Sequence, residues 1–197
     1  PNIILFLVDD MGWQDTSLPF WTQRTKYNDT YHTPNMERMA TQGKMFTQAY
    51  ACSISSPTRV SLFTGMNAAR HRVTSWTRKN TTHEQPDSVM IYPEWNVNGI
   101  CQEPGVERTT QVTSLAEVLK EHGYHTIHCG KAHFGAEGTP GADPLKMGFE
   151  VNIAGHAAGS PASYYGKENF GNKTDGKSPL AAVPGLEKYH GTDTFLS

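Results

Sequence analysis

Ser55-Ser56-Pro57-Thr58-Arg59 puts a hydroxyl, a proline suited to a helix start and a guanidinium into one short segment. Upstream, the carboxylates Asp9 and Asp10 close an apolar run, and downstream Gly130-Lys131-Ala132-His133-Phe134-Gly135 sets an ammonium and an imidazole two positions apart. These residue types suit the hydrolysis of an anionic ester such as a sulfate. That reaction needs a nucleophile, positive charge against the ester's oxygens and a proton for the leaving alcohol, and a divalent ion held by carboxylates supplies charge and orientation. Hard oxygen ligands suit calcium or magnesium more than zinc. An unmodified Ser55 is a poor nucleophile, because no base adjoins it in sequence.

Such groups need a scaffold, and its elements are legible. The apolar run 3–8 shows no alternation, which predicts a strand buried on both faces of a parallel sheet. Asp9 and Asp10 then fall at its carboxyl end, where open α/β sheets bind ligands. Adjacent residues of a regular strand point to opposite faces, so the pair can share an ion only where the strand is ending. Thr33-Pro34 predicts a helix start, with Met36, Met39 and Ala40 on one face and Gly43 as the stop. Residues 45–50 can form a second strand.

Pro57 suits the first turn of a helix that carries Val60, Leu62 and Phe63 and ends near Gly65. Ser55 then stands at or just before a helix N-terminus, where free N–H groups favour an anion. Arg59 shares its face only if that turn is helical. Ser114 and Glu117 form a capping-box pattern, with Leu115, Val118 and Leu119 behind it and Gly123 as the stop. Residues 124–129 read as a third strand, past whose end Lys131 and His133 project the same way as sulfate clamp and proton donor. The alternation implies an α/β fold with a mostly parallel sheet flanked by helices. A polar insert spans about 74–108, and a loop-rich region about 136–190 contains one possible short strand at 149–153.

Composition narrows the class. With 37% hydrophobic and 18% charged residues and a formal charge of -2, the 197 residues can form one sizeable core or part of a larger one. Clustered Lys and Arg for phosphate contacts are absent, which argues against a dedicated nucleic-acid binder. The odd set Cys52, Cys101 and Cys129 excludes a fully paired disulfide framework. No apolar run reaches membrane-spanning length. The start at Pro1-Asn2 is what a processed start looks like. Ala69-Arg70-His71-Arg72 suits a sulfated ligand or a solvated helix end equally, and His156 lies among small residues that permit close ligand approach. His71, Arg72 and His156 are therefore candidate substrate contacts. Trp76, Tyr92 and Trp95 suit either stacking on sugar rings or a local core.

Ser55-Ser56-Pro57-Thr58-Arg59, followed by Leu62-Phe63-Thr64-Gly65, resembles the signature of the type I, formylglycine-dependent sulfatases of the alkaline phosphatase superfamily, in its serine variant. Asp9-Asp10-Met11-Gly12-Trp13-Gln14-Asp15 is similar to that family's N-terminal metal segment, and residues 130–135 to its Gly-Lys-x-His block. The resemblance implies that Ser55 is oxidised to Cα-formylglycine by a maturase and that Asp9, Asp10 and the modified residue 55 ligate calcium. It also implies that Arg59 and Lys131 hold that residue and the sulfate, while His133 contacts sulfate or assists proton transfer. Ala132, where many members carry Trp, departs from the pattern. Members run to more than twice this length, with further ligands beyond the segment seen here. The resemblance thus implies the N-terminal part of one catalytic domain, with an incomplete metal site and little activity in isolation. By the same analogy the substrate is a sulfated small molecule or glycan and the location periplasmic or secreted. Two rivals stand beside it: a superfamily phosphoester hydrolase using unmodified Ser55, and a non-catalytic sulfoglycan-binding fragment.

Overall fold

Local signals set the helices. The computed structural model describes residues 1–78, 98–171 and 184–196, and the chain divides into two units, Pro1–Ala51 and Cys52–Ser197. Most of the expected insert at 74–108, with Tyr92 and Trp95, lies outside the described residues, as does 172–183 of the loop-rich region.

In the N-terminal unit, Pro34 opens α1 (Pro34–Gln42), and Gly43 closes it by donating its N–H to Met39 O at 2.8 Å. Thr33 does not cap the helix with its side chain. It pairs with Ser17 instead: Ser17 N–H donates to Thr33 Oγ1 and Thr33 N–H to Ser17 Oγ, both at 3.0 Å. Buried Asn28 ties the intervening loop by donating to Thr16 O at 2.9 Å and accepting from Thr25 N–H at 2.9 Å. The strands expected at 3–8 and 45–50 do not form. Both segments carry no ladder and are exposed, Ile4 to 90%. A strand exists only through the hydrogen bonds of a neighbour, and no described segment offers one to these runs.

In the second unit, α2 (Ser55–Thr64) ends at Gly65, whose φ of 68° is the left-handed conformation a helix stop requires. α3 (Ala68–His71) is capped by Asn67, whose side chain accepts from Arg70 N–H at 3.0 Å. β1 (Ile100–Cys101) and β2 (Thr110–Gln111) form a short parallel pair inside and beside the expected insert. The capping box of α4 (Leu115–Glu121) forms as read, with Ser114 N–H on Glu117 Oε2 at 2.8 Å and Glu117 N–H on Ser114 Oγ at 3.1 Å. β3 (Ile127–Cys129) and β4 (Val151–Ile153) pair in parallel, with His128 opposite Asn152. The third strand and the short strand of the sequence reading are these two, each trimmed. The α/β class holds, and both strand pairs among the described residues are parallel.

The core of this unit joins α2, α4 and the segment after β3. It contains Val60, Phe63, Val73, Ala116, Ala132, Phe134 and Met147, with Phe149 packed against it. Phe63 stacks on Phe134 at 4.6 Å and on Phe149 at 5.2 Å between ring centroids. The chain after β3 is tied down a second time at Thr109, whose Oγ1 accepts from Gly141 N–H at 2.7 Å, and at Arg108, whose carbonyl accepts from Ala136 N–H at 2.8 Å. The segment carrying Lys131 and His133 is thereby fixed against the helix carrying Ser55.

Candidate active site

Ser55 is the first residue of α2, and Arg59 lies one turn on along the same face. Arg59 is only 8% exposed, and its guanidinium donates from Nη1 to Lys131 O at 2.7 Å. That bond ties the head of the signature helix to the end of β3. His133, 78 positions from Ser55, brings Nδ1 to 3.2 Å from Ser55 Oγ. An imidazole nitrogen that the sequence does not place beside Ser55 is therefore supplied by the fold. His133 is 4% exposed and sits at φ 59°, a conformation a buried histidine keeps only where its surroundings impose it. Its N–H donates to His156 O at 3.2 Å. Lys131 Nζ and the His133 ring share a neighbour, since a Cβ on Gly159 would lie 3.5 Å from the first and 3.4 Å from Cε1 of the second. Ser55, Arg59, Lys131 and His133 are thus brought together around the N-terminus of α2.

Other expected contacts fall elsewhere. His71 is fully buried, which corrects its reading as a substrate contact. Its Nδ1 accepts from Val73 N–H at 3.0 Å, so Nε2 carries the proton toward Ser61 Oγ at 2.8 Å. It braces α3 on α2, and burial lowers its pKa. Arg72 is exposed at φ 61° where α3 ends. His156 serves the site through its carbonyl, while its ring Nδ1 accepts from Ala158 N–H at 2.8 Å. Burial lowers its pKa as well, with Glu137 opposing.

Asp9 and Asp10 belong to the N-terminal unit. Asp10 has φ 56°, so the backbone is not extended at the second carboxylate. Asp15, the third carboxylate of that segment, is engaged by Gly12 N–H at 2.8 Å and Tyr31 Oη at 3.2 Å. Among the described residues no three His, Cys, Asp or Glu gather as a metal cage. The donors fit calcium in kind, but two carboxylates fall short of the six to eight oxygens it takes.

His128 was not singled out by the sequence reading. It lies on β3 edge-on to Phe149 at 5.1 Å and to Phe134 at 5.9 Å. Burial, then the Arg59 charge, lower its pKa from 6.5 to about 4. Because the folded-state pKa lies below the unfolded one, the unfolded chain takes the proton first. Stability is full above pH 6.5 and is lost as pH falls from there to about 4. The loss from His128 amounts to about 3 kcal/mol. We expect thermal midpoints to fall by about 6–12 °C across that window, and His128→Leu to flatten the slope. An identical slope in the variant would show that His128 titrates normally in the fold.

A family model described as Sulfatase matches residues 1–194. A sulfatase of Formosa agariphila is 32% identical over 96% of this chain and 33% of its own length. The N-acetylgalactosamine-6-sulfatase of Homo sapiens is 33% identical over 91% of this chain and 29% of its own, and an arylsulfatase of Klebsiella aerogenes 33% over 78% and 28%. The chain therefore spans about a third or less of the length of these relatives. With a match running from residue 1 to residue 194 and carrying the serine motif, the aspartate pair and the lysine-histidine block in one order, this chain belongs to the sulfatase family.

Proposed function

We propose that the intact protein hydrolyses sulfate esters, on a carbohydrate, with residue 55 converted to formylglycine and calcium bound at Asp9, Asp10 and the modified residue, and that these 197 residues alone have little activity. The observation that carries the reading is the contact of Ser55 Oγ with His133 Nδ1 at the head of α2, beside Arg59 and Lys131. Ser55 Oγ marks where a hydroxyl of the modified residue would stand. The formylglycine hydrate would supply two hydroxyls on one carbon, one to displace the alcohol at sulfur and one whose deprotonation would expel sulfate and restore the aldehyde. His133 accepts that proton at Nδ1, provided its neutral tautomer carries hydrogen on Nε2. Lys131 and the free N–H groups of α2 meet the negative oxygens, and Arg59 keeps helix and strand end in register. Calcium, when bound, would supply positive charge to the developing anion.

The relatives named N-acetylgalactosamine-6-sulfatase support a sulfated sugar as substrate. A maturase that acts on Ser55 and an exported, periplasmic location belong to the same proposal. Among the described residues no helix is long and apolar enough to cross a membrane.

The Ser55–His133 contact also favours a second reading, in which the unmodified hydroxyl is activated by His133 for phosphoester hydrolysis. Mass spectrometry of the peptide carrying residue 55, on protein from its native host, separates the two. We expect the loss of two hydrogens at Ser55 together with sulfate-ester turnover. An intact serine with phosphate-ester turnover would replace the first reading by the second.

A further inference from the structure

The loop after β4 is braced by side chains that the proposed chemistry leaves unused. Asn152 stands on β4, and its amide closes on the backbone of Gly155: Oδ1 accepts from Gly155 N–H at 3.0 Å and Nδ2 donates to Gly155 O at 2.9 Å. Gly155 has no room for a side chain there, since a Cβ would stand 2.5 Å from Asn152 Oδ1 and 2.7 Å from His128 Nδ1. The next residue, His156, gives its carbonyl to His133 N–H. Its ring then takes Ala158 N–H, which curls the chain so that Gly159 comes back over the site. A Cβ at 159 would lie 3.4 Å from His133 Cε1, 3.5 Å from Lys131 Nζ and 3.6 Å from His133 Nδ1.

We propose that residues 155–159 form a wall of the anion pocket, with Gly159 as its specificity-determining residue and Asn152 as a positioning residue. Asn152 acts through Gly155 and the His156 carbonyl on His133. The proposal rests on the reading of Lys131 and His133 as anion-binding groups. An anion oxygen held by the Lys131 ammonium sits about 2.8 Å from Nζ. A side chain at 159 touches the same nitrogen and the edge of the imidazole that faces Ser55, so it competes with the anion for that space. A methyl group enters at ordinary contact distance, whereas a branched side chain reaches further into the pocket. Gly159 lies outside the left-handed region, so its backbone accepts other residues without strain.

The test titrates inorganic sulfate into the intact protein while following the NMR signal of the His133 Cε1 proton, and measures aryl sulfate turnover alongside. In the wild type the signal shifts on titration. Gly159→Val is expected to weaken that binding by about tenfold or more, and Gly159→Ala by less, with thermal midpoints unchanged. Sulfate binding in Gly159→Val equal to the wild type overturns the wall. Asn152→Ala is expected to lower kcat about tenfold with KM within about twofold. A lowered thermal midpoint with kcat unchanged would overturn the positioning role. If Asn152→Ala fails to fold, the Gly159 pair decides. Anion binding sensitive to Gly159 without sulfate-ester turnover keeps the wall and removes the sulfatase reading. Turnover that Gly159→Val leaves intact does the reverse.

Discussion

In the intact protein, replacing Ser55 with alanine is expected to reduce sulfate-ester turnover by on the order of 10⁴-fold or more, the scale on which nucleophile removal acts when several groups work as a unit. The fold should barely register the change. Ser55 begins α2, but the residue before the helix is Ile54, and no side chain caps that end. The hydroxyl's hydrogen bond to His133 is a half-buried contact, and its loss costs about 1 kcal/mol. Ser56 provides the internal control. It is fully buried, and its Oγ has no hydrogen-bond partner among the described residues. Deleting that hydroxyl leaves no donor or acceptor stranded, so Ser56→Ala is expected to keep activity and to match or exceed the wild type in stability. Neighbouring serines with opposite outcomes separate chemistry from scaffold. Full activity in Ser55→Ala would remove Ser55 as the nucleophile. Equal loss in both variants would make the motif a structural cap.

The helices were legible because their signals are local. Pro34 with Gly43, Pro57 with Gly65, and Ser114 with Glu117 each act within one or two turns, and α1, α2 and α4 appear where those residues put them. Strands depend on distant partners. The apolar run 3–8 has the composition of a central strand yet no ladder, while Ile100–Cys101 pairs with Thr110–Gln111 although no periodicity announces it. The site divides in the same way. Ser55 and Arg59 come from one turn of helix, and Lys131 and His133 from one strand end, so each pair is visible in a short window. Their meeting across more than 70 positions is a property of the fold. His71 was misplaced because a basic cluster suits a sulfated ligand or a solvated helix end, and only tertiary packing turns its imidazole toward Ser61. His128, Asn152 and Gly159 act by burial and close approach, which spacing does not report. The one available hint was the three-residue step from Asn152 to Gly155, the reach of a side chain that closes on its own loop.

Arg59→Met should cost about 2–3 kcal/mol of stability and about 10²–10³-fold in turnover, and it carries a readout no simple loss of packing would give. The variant keeps most of the side chain's volume and removes the fork. Lys131 O then loses a donor in a half-buried setting, which accounts for the stability term. Lys131 itself loses its tether to α2, so the ammonium and the histidine two positions later drift from the helix head. A displacement of about 1 Å there is enough for the expected rate loss. The additional readout is His128. Its pKa of about 4 comes first from burial and second from the Arg59 charge, so removing that charge should raise it part of the way toward 6.5. Acid lability of the variant would then be complete at a higher pH than in the wild type, because the window between folded and unfolded pKa has narrowed from below. Arg59→Lys restores the charge without the planar fork, so it should return His128 toward about 4 while leaving turnover low. An NMR titration of His128 in the three proteins decides the matter. An unchanged pKa in Arg59→Met would mean that the guanidinium does not lie against the β3 end, and the coupling between signature helix and strand would have to be drawn differently.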